Sequence, residues 1–352
     1  MSNDLQHIEF YDKAVELLQS ARRHVIQVVN KTMVTSYFEL GRMIVVEEQG
    51  GQERAGYGKN IISDLSKVLT KEFGKGFSVT NIKQMRSFYL SYQKSQTPSD
   101  LLGFVKGQTV SDLSKDSKTE AYPAFHLSWS HYLTLMRMND VNERNFYEIE
   151  SVKNNWSVRN LKRQYDTALY TRLVLSRDKE GVKKLSNEGL VVESPQDAIK
   201  DPYILEFIGL PENHRYSESQ IEQKIIDKLE HFLLELGTGF SFVARQKRIS
   251  FDDKHFRIDL VFYNRTLKSF VLIDLKIGEL NHQDIGQMQM YVNYYDREIK
   301  ADDENKTIGL ILCKDKSKAV VEYTLPTDNT QIFASKYQTV LPSKEELTLL
   351  IK

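Results

Sequence analysis

Residues 257–291 put ionisable side chains where an apolar sheet should carry none. The run RIDLVFY at 257–263 and the run FVLIDLKI at 270–277 read as two strands joined by a short polar turn. Asp259 interrupts the first strand, and Asp274 interrupts the second, with Lys276 two residues later. Strand side chains alternate faces, so Asp274 and Lys276 point the same way, and Asp259 on the neighbouring strand is within reach across a ladder. Burying a bare carboxylate costs on the order of several kcal/mol or neutralises it. A divalent cation removes that penalty. Two carboxylates, a backbone carbonyl and waters form a hard oxygen site suited to Mg²⁺ or Mn²⁺. Such a site performs phosphodiester hydrolysis: the metal polarises the phosphate and acidifies a bound water. Lys276 would orient or deprotonate that water, or stabilise the pentavalent charge. The helical segment that follows carries Gln287 and Tyr291 four apart, on one face, where they would hold the lysine, the water or a phosphate oxygen. Glu222, upstream, would add an acid through a water, making Asp259, Asp274 and Glu222 the metal set. It also completes Ser219-x-x-Glu222, a capping box that would by itself account for the glutamate. An ion pair of Lys276 with the two aspartates is the competing structural role. It is the weaker one, because ion pairs at a sheet centre add little stability.

The elements that must position these residues follow from periodicity. SESQIEQKIIDKLEHFLLELGTGF predicts an amphipathic helix with Ile221, Ile225, Leu229, Phe232 and Leu236 on one stripe, ended by Gly237 and Gly239. FSFVARQKRISF predicts a strand, the two acid-bearing strands come next, HQDIGQMQMYVNYYDREI predicts a helix, and KTIGLILCKD a strand buried on both faces. The order is helix, three strands, helix, strand: a mixed α/β sheet covered by helices. The tail from VVEYTL to LPSKEELTLLIK adds an edge strand or helices.

The N-terminal half reads as helical. Ile8, Tyr11, Val15, Leu18, Val25, Val28 and Val29 keep a near-3.6 rhythm within a helical stretch over 5–48, and YFELGRMIVVEE reads as a second stretch. The next helix carries Ile61, Ile62, Leu65, Val68, Leu69 and Phe73, then stops at Gly74 and Gly76. Ser78 caps another with Lys83 and Arg86 outward, a helix-turn-helix outline. FSVTNIKQM at 77–85 is echoed by WSVRNLKRQ at 156–164, either a repeated reading unit or two well-capped helices. The second of these carries Arg159, Lys162 and Arg163. Lys83, Arg86, Arg159, Lys162 and Arg163 are the candidate DNA contacts. Residues 94–123 are rich in Ser, Thr, Lys and Asp and predict a loop or insertion. The expected organisation is a helical domain over 1–175, a linker or arm over 176–216 and a catalytic domain over 217–352.

Composition narrows the class. The 352 residues carry 48 basic and 48 acidic side chains, so overall charge does not point to nucleic acid. Residues 151–190 nevertheless hold nine Lys/Arg (153, 159, 162, 163, 172, 177, 179, 183, 184) against four acids (166, 178, 180, 188), a local excess able to meet phosphates. Cys313 is the single cysteine, which excludes an internal disulfide and a multi-cysteine zinc site. No apolar run reaches the roughly 20 residues of a membrane span and the N-terminus carries no signal-peptide pattern, so the expected compartment is the cytoplasm.

Asp259, Asp274-Leu275-Lys276 and Gln287-x-x-x-Tyr291 resemble the signature of PD-(D/E)xK nucleases, with the QxxxY motif of RecB-type members. More closely, the chain resembles the YhcG family of bacterial proteins. The resemblance lies in SESQIEQKIIDKLEHFLLELGTGFSFVARQKRI, RIDLVFYNR, FVLIDLKIG, GQMQMYVNYYD and IGLILCKDK, and in the N-terminal half in YFELGRMIVVEEQ, YGKNIISDLSKVLTKEFGKGFS, LSWSHY and WSVRNLKRQ. It implies a restriction-endonuclease-like α/β domain behind an all-helical, winged-helix-like DNA-binding domain. It further implies metal-dependent DNA cleavage in bacterial DNA processing or in mobile-element or phage defence. The third-strand acid is often Glu in that superfamily; Asp274 is shorter and would draw the metal nearer the sheet. The expected assembly is a homodimer on DNA, with room for a further protein partner. A non-catalytic DNA-binding scaffold, and an RNA-directed or partner-dependent effector, are the alternative readings.

Overall fold

The computed structural model describes residues 2–50, 57–93, 124–175, 179–192, 194–210, 216–251 and 254–340. The loop expected at 94–123 and the tail beyond 340 lie outside the described residues. The chain divides into two compact units, Met1–Arg163 with Lys183–Gly189, and Gln164–Val182 with Leu190–Lys352.

The described residues of the first unit are helical: α1 (Ser2–Gly50), α2 (Tyr57–Phe73), α3 (Val79–Tyr92), α4 (Trp129–Leu135), α5 (Val141–Lys153) and the start of α6 (Val158–Asp166). The two stretches expected over 5–48 are one helix. Its second half packs on α3, burying Val34, Phe38, Ile44 and Val45. Gly41 permits the crossing, since a Cβ there would stand 2.2 Å from the Met85 carbonyl oxygen. The first half departs from expectation. Tyr11, Val15, Leu18, Val25, Val28 and Val29 are exposed rather than buried, and the Ile8 side chain is outside the described ones. On α2, Ile62 is buried with Leu65 and Leu69 against it, whereas Val68 and Phe73 are exposed. The turn to α3 uses Gly74 and Gly76, both at positive φ. Ser78 then caps α3, accepting from the Asn81 N–H at 3.2 Å, and Ser157 accepts from the Asn160 N–H at the same distance. The sequence echo is therefore an identical cap on two helices.

The second unit contains α7 (Leu169–Leu175), and α8 (Lys179–Glu188) begins in it. The segment read as an arm also holds α9 (Pro195–Ala198) and β1 (Tyr203–Ile204). Then come α10 (Glu218–Asp227), α11 (Leu229–Leu236), β2 (Phe240–Phe251), β3 (Lys254–Asn264), β4 (Ser269–Glu279), α12 (His282–Tyr294), β5 (Ile308–Asp315), α13 (Lys318–Thr324) and β6 (Ile332–Gln338). They form a six-stranded mixed sheet of order β1-β6-β5-β4-β3-β2. The hairpins β2–β3 and β3–β4 are antiparallel, and β4, β5, β6 and β1 run parallel. β5 is buried over Ile308–Cys313, as its unbroken apolar run predicts.

Two cores sandwich the sheet. α10 and α11 cover one face through Ile221, Ile225, Phe232 and Leu236 against Leu260, Phe262, Ile273 and Leu310. α12 covers the other through Ile285, Met288, Tyr291 and Val292 against Leu272, Ile311 and Cys313. The single long helix expected over 217–237 is broken at Lys228, whose backbone (φ −124, ψ 34) leaves helical geometry. Its stripe survives, with Leu229 only partly buried.

Candidate active site

The site forms where β3 and β4 part. Their ladder runs from Asn264↔Ser269 to Leu260↔Ile273 and stops one pair short of Asp259 and Asp274. Asp259 is thus not a ladder partner of Asp274, as simple hairpin pairing would have it. Its Oδ2 instead accepts the Leu275 N–H at 2.8 Å, a carboxylate taking the place of a strand carbonyl. Core alternation slips at the same point: Leu260 and Phe262 join the α10/α11 core, while Ile258 joins the α12 core.

Asp274 is 2% exposed, and its Oδ2 lies 2.9 Å from Lys276 Nζ, as same-face alternation requires. That oxygen makes no directed hydrogen bond. Lys276 Nζ also stands 3.9 Å from Asp284 on α12. Burial, and then the charge of Asp259, push the Asp274 carboxyl up to about 7 against the pull of Lys276. Burial alone would lower the Lys276 ammonium, but Asp274, Glu218 and Asp284 outweigh it and its pKa rises. The Lys276 shift reports that acids outnumber bases around it, whereas the Asp274 shift reports burial first and the neighbouring acid second.

Gln246 was not legible as a functional residue. It lies in β2 at φ 47, a left-handed conformation unusual for a non-glycine strand residue. The β2–β3 pairing passes from Arg245↔Leu260 to Lys247↔Ile258 and leaves Gln246 and Asp259 facing each other without a ladder pair between them. Its carboxamide Nε2 donates to Glu222 Oε2 at 2.5 Å and to Asp259 Oδ1 at 3.0 Å. Strain at such a position persists where the surroundings hold it; here two acids do. Arg245 Nε donates to Glu222 at 2.9 Å. Burial raises the Glu222 pKa, opposed by Gln246 and Arg245. The capping box of α10 is not Ser219–Glu222 but Ser217–Gln220, so Glu222 is free of capping duty and buried beside Asp259's partner. The one signal in the sequence was the run RQKR, too polar for the strand it occupies.

Gln287 and Tyr291 are brought together, the amide donating to the phenol oxygen. The Tyr291 hydroxyl donates to the Arg257 carbonyl at 3.0 Å, so the pair anchors β3 two residues before Asp259. Burial raises the Tyr291 pKa. Asp284, also missed, closes a capping box with Asn281 at the start of α12. On the first unit, Lys83, Arg159 and Lys162 are exposed and Arg163 is half-buried. Arg86 is engaged by Glu48 of α1 at 2.6 Å and is not a free cation.

The donor set fits a hard divalent cation in part. Asp259 and Asp274 supply two carboxylates and an undirected buried oxygen, and a backbone carbonyl and waters would complete the shell. Among the described residues no group of three or more His, Cys, Asp or Glu side chains is set to hold a metal ion. Glu222 is tied to Asp259 only through Gln246.

Comparison with known proteins gives the class as that of nuclease-domain proteins. Residues 196–351 match the YhcG PDDEXK nuclease domain model, and residues 13–172 match the DUF1016 N-terminal domain model. The protein named "Putative nuclease YhcG" of Escherichia coli (strain K12) is 39% identical over 346 residues, spanning 96% of this chain and 92% of that one. The chain belongs to the YhcG family. Among solved structures, a repair endonuclease from Pyrococcus abyssi is 15% identical over 38% of this chain and 50% of its own, with a TM-score of 0.25. A structure titled EndoMS-dsDNA2 complex is 14% identical over 38% and 51%, with a TM-score of 0.26. Each of these matches spans about half of the solved chain. Among the described residues no helix is long and apolar enough to cross a membrane.

Proposed function

We propose that the protein is a divalent-metal-dependent nuclease that hydrolyses phosphodiester bonds in DNA, with Asp259 and Asp274 as metal ligands. The observation that carries this reading is the gathering of two carboxylates and Lys276 where β3 and β4 part, with the Asp274 carboxyl 2% exposed and its Oδ2 lacking a directed hydrogen bond. Bound Mg²⁺ or Mn²⁺ would supply Lewis acidity toward the scissile phosphate and toward an attacking water. Lys276 keeps its proton at neutral pH, which supports a charge-stabilising ammonium over a general base. Gln287 and Tyr291 hold the β3 end that carries Asp259. Gln246 and Glu222 fix the other oxygen of Asp259, so Glu222 acts through Gln246 and not as a direct ligand.

DNA is favoured over RNA by the Ser-capped helices of the first unit, where Lys83, Arg159, Lys162 and Arg163 would meet duplex phosphates. Arg86, held by Glu48, would contribute less. The family relative's name as a nuclease supports the same class. The setting we propose is bacterial DNA processing or defence against mobile elements and phage, in the cytoplasm, by a homodimer able to take a further protein partner.

The test is cleavage by the full chain of duplex, branched and single-stranded DNA and of RNA, in Mg²⁺, Mn²⁺ and EDTA. Cutting of DNA that EDTA abolishes supports the proposal. Cutting of RNA alone reassigns the substrate, and retained binding without cutting of any substrate makes the protein a DNA-binding scaffold.

A further inference from the structure

We infer that the first half of α1 pairs in antiparallel orientation with the same segment of a second copy of this chain. Val15, Leu18, Val25, Val28 and Val29 are between 49% and 66% exposed, and Leu17 and Ile26 beside them are 70% and 60% exposed. The same helix buries Val34, Phe38, Ile44 and Val45 to 6% or less, so its two halves have opposite fates. A solvated helix surface has no reason to place apolar side chains at three- and four-residue intervals. Positions 15, 18, 22, 25 and 29 alternate those intervals, the spacing of a two-helix seam.

Area and charge select the occupant. At 1.5 Å per residue, the stretch from 11 to 33 offers a seam about 33 Å long. The seam covers Val15, Leu18, Val25, Val29 and the Arg22 stem in both copies. Flanking stems, Leu17 and Ile26 carry the contact past the roughly 1,000 Å² that a specific interface needs. Direction follows from the charges. Asp4, Glu9, Asp12 and Glu16 precede residue 17, with Lys13 the base among them; Arg22, Arg23 and Lys31 follow, with no acid from 17 to 38. A parallel pair lays acids against acids and bases against bases. An antiparallel pair lays each acidic stretch along the partner's basic stretch. A two-fold contact of this kind is self-complementary and closed. Centred near residue 20, it sets Val15 opposite the partner's Val25 and Leu18 opposite the partner's Arg22. The Arg22 stem then covers leucine while its guanidinium stays in water, and a charged seam position of this kind fixes register.

The test is the solution mass of the full chain by light scattering and sedimentation, for the natural protein and for the double variant Leu18→Glu/Val25→Glu. Both side chains are exposed in the single chain, so the variant keeps its fold, which far-UV dichroism checks. The natural protein should be a dimer at tens of micromolar, and the variant a monomer or a dimer weakened at least a hundredfold. Orientation is read separately by mixing the Val15→Cys protein with the Val25→Cys protein and oxidising. Cys313 is the single natural cysteine and is buried, so it does not compete. Mixed disulfide between the two variants supports the antiparallel pair; self-linked product alone overturns it. A monomeric natural protein, or a dimer indifferent to the two glutamates, overturns the interface.

Discussion

Asp274→Asn should stabilise the metal-free protein above neutral pH. Asp274 is 2% exposed, and burial together with Asp259 lifts its carboxyl from 3.8 to about 7. A folded-state pKa above the unfolded one means that the native state binds the proton more tightly. Below pH 3.8 both states are protonated and nothing is lost. Between there and about 7 the unfolded chain ionises first, and stability drains as pH rises. Some three units at about 1.4 kcal/mol each set an upper bound of roughly 4 kcal/mol. That bound already contains the pull of Lys276 at 2.9 Å; relaxation around the ionised carboxylate takes about half of it, leaving about 2 kcal/mol, or roughly 4–8 °C in the melting temperature of a domain this size. The assay is calorimetry in EDTA at pH 5 and pH 8, following the transition of the second unit. The asparagine protein should melt higher than the natural one at pH 8, with most of the advantage gone at pH 5, and Mg²⁺ should raise the Tm of the natural protein alone. An asparagine variant that melts at or below the natural protein at pH 8, or with the same offset at both pH values, refutes the argument.

Two further outcomes follow from the site and the helical unit. Gln246→Leu removes the amide that bridges Glu222 and Asp259, so Mn²⁺ affinity by calorimetry should fall about tenfold or more while the fold is kept; unchanged affinity would make Gln246 a bystander. Arg159→Ala/Lys162→Ala should lower the log–log salt slope of DNA binding by about 1.8, at roughly 0.9 per phosphate contact, whereas Arg86→Ala should lower it little because Glu48 already holds that guanidinium. An unchanged slope in the double variant would remove α6 from the interface.

The fold was legible where periodicity and turn residues agree. The order of α10 through β5 follows from alternation and glycine stops, and the unbroken run IGLILC reads correctly as a strand with both faces covered. The acids and the lysine were legible because each violates an apolar pattern. The break at Lys228 was not, since no glycine or proline marks it and both sides of the break keep the same stripe. Gln246 was hidden for a different reason. Its place between the two acids depends on a left-handed backbone and a gap in the ladder that local composition does not encode. The role of Glu222 was obscured by Ser219 three residues before it, when Ser217 was the cap in use. In α1 the periodicity was real, but the core it implied is absent among the described residues, because a pattern states that a face must be covered and not by what.

The central claim is that Asp259, Asp274 and Lys276 form one catalytic centre. Its most direct test is single-turnover cleavage of duplex DNA across a Mg²⁺ titration by the natural protein and by the Asp274→Ala and Lys276→Ala proteins, with DNA binding measured alongside. The account predicts metal-dependent cutting by the natural protein and a loss of at least a thousandfold in both variants, with binding changed less than threefold. Cutting that survives either substitution, or persists in EDTA, would contradict it.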